Sequence, residues 1–573
     1  MRLNIENSIV NSALWAAAGD ALGWISELTD RRGLVRRIGG SELRSPVAWK
    51  RKIGGMSGPQ AALPAGTYSD DTQLRLAVCR SIQGDGTFDV EAFAKIELSV
   101  WPSYALGAGR GSKAAASNVA KRDINWFSNF FSSTDGPSYV SSGGNGAAMR
   151  IQPHVWQRAK SNQRDYLLDV IKDSLTTHGH MRGLCGAIFH ADCLAYTISH
   201  GEIPGPSEWL NFTERFSEIV DIIKTDHQLG RFWIGAWEKE SGDSLINSIE
   251  RVKSELTQDI AKLSDFPTNI KNSYFTALEL LDCLGDRKGT GTNTALAAAY
   301  LAWIAQDISL EDALLIAANT LGSDTDTIAT MTGALLGVIA IAPPSWPIQD
   351  IEYIKMQAQR MAKIATHQSC DSFMYPDLLS WQPPLSQSDS IGIYEGKKAL
   401  TGLGLITAFD QTWTSGDFIW QWYELDFGQT ILCKSRSKSL KQLNSNSIAS
   451  KTKNKENDLN YAPINKKIYQ EAQKPYNFES SEDNETFSLR AENPPIRKEL
   501  KNNILPEHPE NKAQQPNNRS LDEITNIAIR SNFNEEVIGA CLLESINGDN
   551  GIEKAMAFSA IIAKALLARR NRG

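Results

Sequence analysis

The sequence predicts an all-α domain over residues 1–370 of a chain of 573 residues. Segments rich in alanine and leucine recur there between glycine-rich or polar turns, and strand-like alternation is nearly absent. Several of these segments are apolar on most faces, which is typical of helices buried among other helices. The clearest helical segments span residues 74–82, 184–198, 294–304 and 328–339.

The composition changes after residue 370 and divides the rest of the chain into three parts. Residues 371–434 carry short aromatic and β-branched runs between Gly, Ser and Asp, which predict a small β-containing appendage. Residues 435–519 lack Gly, Trp, Cys, Val and Met and are rich in Asn, Lys, Ser, Glu and Pro, so we expect a disordered linker. Residues 520–573 regain helical periodicity and predict a short helical C-terminal segment.

Bulk composition predicts a soluble globular protein, with 41% hydrophobic and 22% charged residues. The net charge of −7 gives no reason to expect general affinity for nucleic acid or anionic membrane, although a local basic groove stays open. The seven cysteines form no C-x-x-C pair, so we expect neither a disulfide framework nor a structural zinc site, and a cytoplasmic location. The most apolar run, at 334–342, is too short to cross a bilayer.

Two acidic clusters stand directly before predicted helices. The first, at 68–72, precedes a helix expected to begin near Gln73, and the second, at 322–327, precedes one expected near Ile328. Helix capping explains either cluster alone, but one cap needs one side chain and each cluster supplies two carboxylates plus hydroxyls. Together they offer six hard oxygen donors that suit Mg²⁺ or Mn²⁺. These are Ser69, Asp70, Asp71, Asp324, Asp326 and Thr327.

Three further motifs accompany the clusters: residues 19–27, which end at Glu27, the glycine-rich run 143–150, and residues 176–180 around His178. Glycines in the second motif let the backbone approach a ligand closely. Taken singly, Glu27 fits a solvated carboxylate and His178 fits a packed histidine. In order and content, GDALGWISE, SDDT, GGNGAAMR, TTHG and GSDTDT resemble the ADP-ribosylglycohydrolase family, which includes the dinitrogenase reductase-activating glycohydrolases. The resemblance covers about residues 8 to 365.

The resemblance implies a compact all-α domain that holds two Mg²⁺ ions, or Mn²⁺, in a cleft. It assigns the six oxygen donors named above to the metals. These residue types would let a ribose diol coordinate the metals while a carboxylate or a metal-bound water attacks the anomeric carbon, or assists that attack, through an oxocarbenium-like transition state. We expect Asp71 or Glu27 to assist that attack. The residues expected to bind ADP-ribose are Gly144, Asn145, Gly146 and His178.

Two departures from the family pattern bear on specificity. Ser69 stands where Thr is commoner, which keeps the hydroxyl, and residues 289–293 lack the tyrosine that many relatives carry after a glycine-rich turn. The missing aromatic removes a stacking partner expected for either the adenine or a guanidino group, so the sequence does not predict specificity for arginine-linked substrates. The motifs leave the acceptor open among arginine, serine, nucleic-acid bases and small-molecule conjugates.

Other function classes fit the sequence less well. A nucleotide-binding P-loop is excluded because residues 107–113 lack Gly-Lys-Ser/Thr. A zinc hydrolase is unsupported because no H-E-x-x-H motif occurs among the eight histidines. One alternative is a catalytically inactive, crystallin-like relative that binds ADP-ribose or serves a structural role. Another is an ADP-ribose binder delivered to a protein partner through the C-terminal helices. The complete set of metal donors favours the enzyme.

Overall fold

A computed structural model describes residues 4–54, 58–133, 136–161, 163–263, 270–436, 440–449, 520–531 and 533–546, with scattered positions from 551 to 562. The chain divides into two units, Met1–Pro475 and Tyr476–Gly573. Among the described residues, no helix is both long and apolar enough to span a membrane. The seven cysteines are free thiols in the structure.

The first unit is built mainly from α-helices, which confirms the predicted fold class. The predicted helices at 74–82, 184–198, 294–304 and 328–339 all occur, with somewhat different ends. The helices are α1 Ile5–Ser26, α2 Arg31–Ile38, α3 Asp70–Ser81, α4 Val90–Ala92, α5 Leu98–Val100, α6 Arg110–Val119, α7 Gln152–Trp156, α8 Leu167–Thr177, α9 Met181–His200, α10 Pro206–Glu214, α11 Ser217–Thr225, α12 Ile234–Ser241, α13 Leu245–Leu263, α14 Ile270–Leu280, α15 Gly291–Ile304, α16 Leu310–Asn319, α17 Thr325–Ile339 and α18 Ile351–Ala365.

Helices α1 and α17 cross in close backbone contact because glycine occupies the crossing points. A Cβ atom added at Gly19 or Gly23 of α1 would lie 2.3 Å from a backbone oxygen of α17. On α17, a Cβ at Gly333 or Gly337 would lie 2.4 or 2.8 Å from a backbone oxygen of α1. Since no side chain fits at these positions, the glycines of the first motif serve helix packing. This crossing sets the distance between the C-terminal end of α1 and the N-terminal end of α17.

A short antiparallel hairpin interrupts the helices between α2 and α3. Its strands, β1 Trp49–Lys52 and β2 Gln60–Leu63, pair Trp49 with Leu63 and Lys52 with Gln60. The sequence analysis did not predict it, because four residues with three adjacent cations show too little apolar alternation. The hairpin leaves the all-α class of the domain unchanged.

The predicted β-containing appendage is a six-stranded sheet, which confirms this part of the prediction. Its strand order is β7-β6-β5-β4-β3-β8, antiparallel except where β8 runs parallel to β3. The sheet extends beyond residue 434, since β7 ends at Arg436 and β8 follows. The strands are β3 Ile391–Tyr394, β4 Lys397–Leu400, β5 Gly404–Ser415, β6 Phe418–Leu425, β7 Thr430–Arg436 and β8 Lys441–Gln442.

Buried hydrogen bonds join this sheet to the helices, so the two share one core. Asp350 accepts a hydrogen bond from the Tyr68 hydroxyl at 2.6 Å and from the Thr430 N–H at 2.8 Å. Arg80 of α3 donates to Gln429 Oε1 at 2.6 Å. Tyr68 is the first residue of the first acidic cluster, so the sheet supports the start of the helix that carries this cluster.

The second unit contains two described helices, α19 Leu521–Arg530 and α20 Glu535–Ile546. Ser520 and Glu523 form a capping box at the start of α19, and a small core includes Ile524, Cys541 and Phe558. Both helices lie within residues 520–573, where the helical periodicity of the sequence predicts a helical C-terminal segment. Most of the predicted disordered linker, residues 450–519, lies outside the described residues.

Candidate active site

The first acidic cluster forms the start of α3. This helix begins at Asp70, three residues before the predicted start, so both aspartates lie in its first turn. Ser69 is the N-cap, and its Oγ accepts from the Asp71 N–H at 3.3 Å. The two carboxylates have different neighbours: Asp70 Oδ1 lies beside Gly107, where an added Cβ would be 2.7 Å away, whereas Asp71 Oδ1 accepts from Thr327 Oγ1 at 3.5 Å. Adjacent carboxylates thus diverge, as helix geometry requires.

Asp20 of α1 fixes the position of this helix start. Its side chain is fully buried and accepts three hydrogen bonds. The Ser69 N–H donates to Oδ1 at 2.9 Å, while the N–H and hydroxyl of Thr72 donate to Oδ2 at 2.9 and 2.6 Å. Burial raises the pKa of Asp20, and the hydrogen bonds from Thr72 and Ser69 oppose that rise. Asp20 therefore acts as a cap supplied by a neighbouring helix.

The second acidic cluster forms the start of α17. The helix begins at Thr325, three residues before the predicted Ile328, with Asp324 as its N-cap. The Thr325 hydroxyl donates to the Gly23 carbonyl at 2.8 Å and so ties this end to α1. The Thr327 N–H donates to Asp326 Oδ1 at 2.9 Å. The contact between Thr327 and Asp71 joins the two predicted clusters, which lie far apart in the sequence.

Glu27 caps the C-terminal end of α1 and meets the second cluster. Carboxylate oxygens of Glu27, Asp324 and Asp326 lie within 4.8 Å of one another. Arg51 Nη1 lies 3.5 Å from Glu27 Oε2, and its guanidinium stacks 4.9 Å from the centre of the Trp24 ring. The family resemblance implies a catalytic role for Glu27, and in the structure its carboxylate also lies beside those of two predicted metal donors, Asp324 and Asp326.

Electrostatic repulsion and burial dominate this cluster. Burial first, and neighbouring carboxylates second, hold the pKa values of Asp70, Asp71 and Asp326 well above the ordinary aspartate value. Burial also raises the pKa of Glu27 to about 7, against the opposing effect of Arg51 and with a further increase from Asp324. The cluster therefore lacks sufficient positive charge within the protein.

The donor set fits divalent cations. Asp71 Oδ2 is buried and has no hydrogen-bond partner among the described residues. Arg75, the buried cation behind the cluster, donates to the Met149 carbonyl at 3.0 Å and to Thr330 Oγ1 at 2.6 Å, not to Asp71. Carboxylate and hydroxyl oxygens are the ligands that Mg²⁺ and Mn²⁺ prefer. A cation at the open side of the cluster would satisfy the free oxygen and relieve the repulsion.

The Gly-Asn-Gly loop lies against the second acidic cluster. Its Asn145 N–H donates to the Gly289 carbonyl at 3.0 Å, and the Gly291 N–H donates to the Gly143 carbonyl at 2.9 Å. The Asn145 side chain donates to Asp324 Oδ2 at 2.6 Å. Gly289 has φ of 70°, so this left-handed position favours glycine. Residues 289–293, the segment that lacks the family's tyrosine, thus hold the Gly-Asn-Gly loop through a β-bridge.

His178 is buried directly beneath the loop. A Cβ at Gly146 would lie 2.9 Å from His178 Cε1, so only glycine fits above the ring. His178 Nδ1 is 2.7 Å from the Thr177 hydroxyl, which accepts a hydrogen bond from Arg150 at 2.8 Å. This arrangement favours the tautomer with hydrogen on Nε2. Burial lowers the pKa of His178 to about 3, so the ring is neutral at physiological pH.

The structure brings the predicted site residues to one place, with links the sequence did not indicate. Asn145 bridges the loop to the acidic cluster, and Arg150 holds the loop by donating to the Gly146 carbonyl at 2.9 Å. Asp20 was part of a motif but had no predicted role. A charged residue within the apolar helix α1 was the signal that could have identified it, because a buried charge needs partners.

Comparison with known proteins comes from sequence and from structure. A sequence model described as ADP-ribosylglycohydrolase matches residues 1–371. The chain is 28% identical over 306 residues to the ADP-ribosylhydrolase ARH3 of Danio rerio, covering 49% of this chain and 72% of that protein. It is 27% identical over 151 residues to the ADP-ribosyl-dinitrogen reductase glycohydrolase of Rhodospirillum rubrum, covering 26% of this chain and 44% of that protein. A solved structure described as an ADP-ribosylglycohydrolase-related protein complex aligns with a TM-score of 0.39 and 17% identity, over 63% of this chain and 99% of that one.

Proposed function

Because the chain belongs to the ADP-ribosylglycohydrolase family, we propose that this glycosidic-bond hydrolase uses divalent cations to release ADP-ribose from a protein side chain or another acceptor. The observation that carries the proposal is the cluster of carboxylates from α1, α3 and α17 beside the Gly-Asn-Gly loop. Such a cluster is costly in a folded protein unless cations neutralise it.

The proposed metal donors come from the starts of two helices. When bound, Mg²⁺ or Mn²⁺ would supply positive charge that orients and polarises the ribose end of the substrate. Two ions are proposed because the donors fall in two groups, one on α3 and one on α17. The donors are Ser69, Asp70, Asp71, Asp324, Asp326 and Thr327.

Glu27 and Asp71 are the candidates for handling a proton during hydrolysis. Glu27 lies at the rim, where 13% of its side chain is exposed, and Asp71 is buried with one free oxygen. Either carboxylate could accept a proton from an attacking water while the anomeric carbon gains oxocarbenium character. Arg51 contacts the Glu27 carboxylate, with Nη1 3.5 Å from Oε2, and would help to orient it.

The Gly-Asn-Gly loop is proposed to bind the ADP-ribose moiety. The N–H groups of Gly144 and Gly146 make no hydrogen bond to any described residue, so they are available to an anionic ligand. Neutral His178 presents its Nε2 side beneath Gly144, where an added Cβ would be 3.9 Å away. A buried neutral ring supports the loop without adding charge to the pocket.

The test is a panel of mono-ADP-ribosylated substrates with arginine-, serine- and nucleic-acid-linked acceptors, incubated with the full chain. Free ADP-ribose is measured by mass spectrometry in Mg²⁺, in Mn²⁺ and in EDTA, with Asp326→Asn as the matched variant. We expect release from at least one substrate, with metal, by the unmodified protein only. Metal-dependent binding of ADP-ribose without release from any substrate would instead favour the inactive binding or structural relative.

A further inference from the structure

Arg51 of β1 lies at the rim of the site with its guanidinium stacked on two tryptophans. The guanidinium is 4.9 Å from the centre of the Trp24 ring of α1 and 5.8 Å from that of Trp49 on its own strand. The two rings are buried and meet edge-on, with centres 5.1 Å apart. Stacking of this kind holds a guanidinium by its face and leaves the N–H groups at its edges free to bind other partners.

The strand that carries Arg51 is supported from two further sides. Its pairing with β2 places Arg51 opposite Ala61. Just after β1, Gly54 packs against Trp420 of the six-stranded sheet, where an added Cβ would lie 2.3 Å from the indole ring. This sheet lies outside residues 1–371, which match the family, so the support is a feature of this chain. The Arg51 guanidinium therefore keeps a defined position at the rim.

The hydrogen bonding of the Arg51 guanidinium is incomplete. Its one contact with a carboxylate among the described residues joins Nη1 to Glu27 Oε2 at 3.5 Å, longer than the roughly 2.7–2.9 Å of a strong charged hydrogen bond. By comparison, Arg182 binds Glu255 through two bonds, at 2.8 and 3.0 Å. Since 20% of the Arg51 side chain is exposed, its remaining N–H groups are open to a ligand.

The neighbouring guanidinium of Arg37 already has its partners. It donates to the Ile25 and Glu27 carbonyls at 2.7 and 2.8 Å and so satisfies the C-terminal end of α1. Its centre lies 5.2 Å from the Trp49 ring, which Arg51 also contacts. Arg37 therefore adds positive charge beside Arg51, but Arg51 is the member of this pair with N–H groups to spare.

The position of Arg51 relative to the Gly-Asn-Gly loop determines which part of a substrate it would meet. The loop reaches the carboxylates where Asn145 Nδ2 donates to Asp324 Oδ2 at 2.6 Å. Glu27 lies beside Asp324, and Arg51 in turn contacts Glu27. With ADP-ribose on the loop and its ribose at the carboxylates, as proposed above, the acceptor extends past Glu27 toward Arg51.

We propose that Arg51 binds a carboxylate of the acceptor, namely an acidic side chain next to the ADP-ribosylated residue of a protein. The proposal rests on the proposed function and names a feature of its substrate. A fixed guanidinium with free N–H groups matches the planar geometry of a carboxylate, which it binds through paired hydrogen bonds. A neutral neighbour would leave the charge of Arg51 unused, and a cationic neighbour would be repelled by it.

The test uses the full chain and pairs of ADP-ribosylated peptides that differ only in the two neighbours of the modified residue, glutamate in one and glutamine in the other. One pair carries a serine linkage and one an arginine linkage, because the proposal does not depend on the linkage. For the pair that is cleaved, we expect kcat/KM to be about 10-fold higher with glutamate, and this preference should decrease as salt is added.

Three variants assign the preference to the Arg51 charge. Arg51→Gln should make kcat/KM for the two peptides nearly equal, whereas Arg51→Lys keeps the charge and should keep part of the preference. The matched control is Lys50→Gln, which removes one exposed charge from the same strand. Because side chains alternate along a strand, Lys50 lies on the face opposite to Arg51, so the preference should not change.

Binding measurements separate this proposal from the proposed function. Calorimetry with free ADP-ribose should give the same affinity for the unmodified protein and Arg51→Gln, because Arg51 lies on the acceptor side of Glu27. Equal kcat/KM for the two peptides in the unmodified protein, or a preference that survives Arg51→Gln, would overturn the proposal. If no peptide is cleaved, the proposed function fails, and calorimetry with the same peptides decides the role of Arg51. Tighter binding of the glutamate peptide that Arg51→Gln removes supports it, and equal binding of the two peptides overturns it.

Discussion

Replacing Asp20 by alanine should disconnect the first acidic cluster from α1. This buried carboxylate accepts hydrogen bonds from the Ser69 N–H, the Thr72 N–H and the Thr72 hydroxyl, at 2.9, 2.9 and 2.6 Å. Alanine would leave two backbone N–H groups at the start of α3 buried without an acceptor. The turn that carries Asp70 and Asp71 would then lose its support.

The size of the effect follows from these three bonds. A hydrogen bond to a charged group contributes about 1.5–3 kcal/mol to stability, so the gross loss is about 5–9 kcal/mol. Removing a fully buried carboxylate, whose pKa is raised by burial, returns part of that free energy. We therefore expect Asp20→Ala to lower the free energy of unfolding by about 3–5 kcal/mol. Asp20→Asn keeps one acceptor oxygen and should cost about 1–3 kcal/mol.

Tryptophan fluorescence in a denaturant titration measures this loss of stability in the first structural unit, which contains Asp20. All fifteen tryptophans lie before Pro475, so the signal reports on the first unit alone. The same titration with Mg²⁺ should show less metal-induced stabilisation in Asp20→Ala, because the donors on α3 are no longer held. Stability within about 1 kcal/mol of the unmodified protein, with full metal-induced stabilisation, would refute the role assigned to Asp20.

Three further outcomes are expected. Asp324→Asn and Asp326→Asn should each lower kcat/KM about 100-fold, and the double variant should be little worse, because the two carboxylates hold the proposed metal site together. Steady-state kinetics in which the two single losses add up in the double variant would contradict this. In EDTA, the free energy of unfolding should fall as the pH rises from about 4.5 to about 7, because the folded chain retains a proton on Glu27 that the unfolded chain releases. Thermal unfolding at several pH values checks the direction of this change, and a rise in stability over the same range would contradict it. Gly146→Ala should weaken ADP-ribose binding measured by calorimetry, since its Cβ would lie 2.9 Å from His178 Cε1; unchanged affinity would place the ligand elsewhere.

The helical domain could be predicted from local sequence because its main signals are local. Apolar segments such as 294–304 and 328–339 are long enough to identify a helix without knowing its neighbours. The ends were less accurate: α3 and α17 each begin three residues earlier than expected. Acidic and hydroxyl residues favour turns and helix caps, so the sequence predicts that both helices begin after the acidic clusters. In the structure, Asp70 and Asp326 instead lie within the first helical turns.

The convergence of the site depended on information that short motifs do not contain. Glu27 meets Asp324 and Asp326 only because glycines let α1 and α17 cross in close contact. The bridge from Asn145 to Asp324 depends in turn on how the loop pairs with residues 289–291. Both are contacts between distant segments, so periodicity and spacing could not reveal them. The family resemblance supplied the grouping of residues but not these supports.

The charges around the site give a physical reason for its expected metal content. Six carboxylates converge on it, and four cations lower the pKa values of four of them, Asp20, Glu27, Asp70 and Asp71. These cations are Arg37 and Arg51 near Glu27, Arg75 beneath the cluster, and Lys113 near Asp70. With all six carboxylates ionised, the formal charge of this set would be 4 − 6 = −2, and this excess of negative charge is consistent with the raised pKa values. Lys113 is exposed and Arg37 is bound to backbone carbonyls, so both are poor neutralisers of the buried oxygens. The protein thus leaves the open side of the cluster under-neutralised, which is where a substrate and its cations would enter.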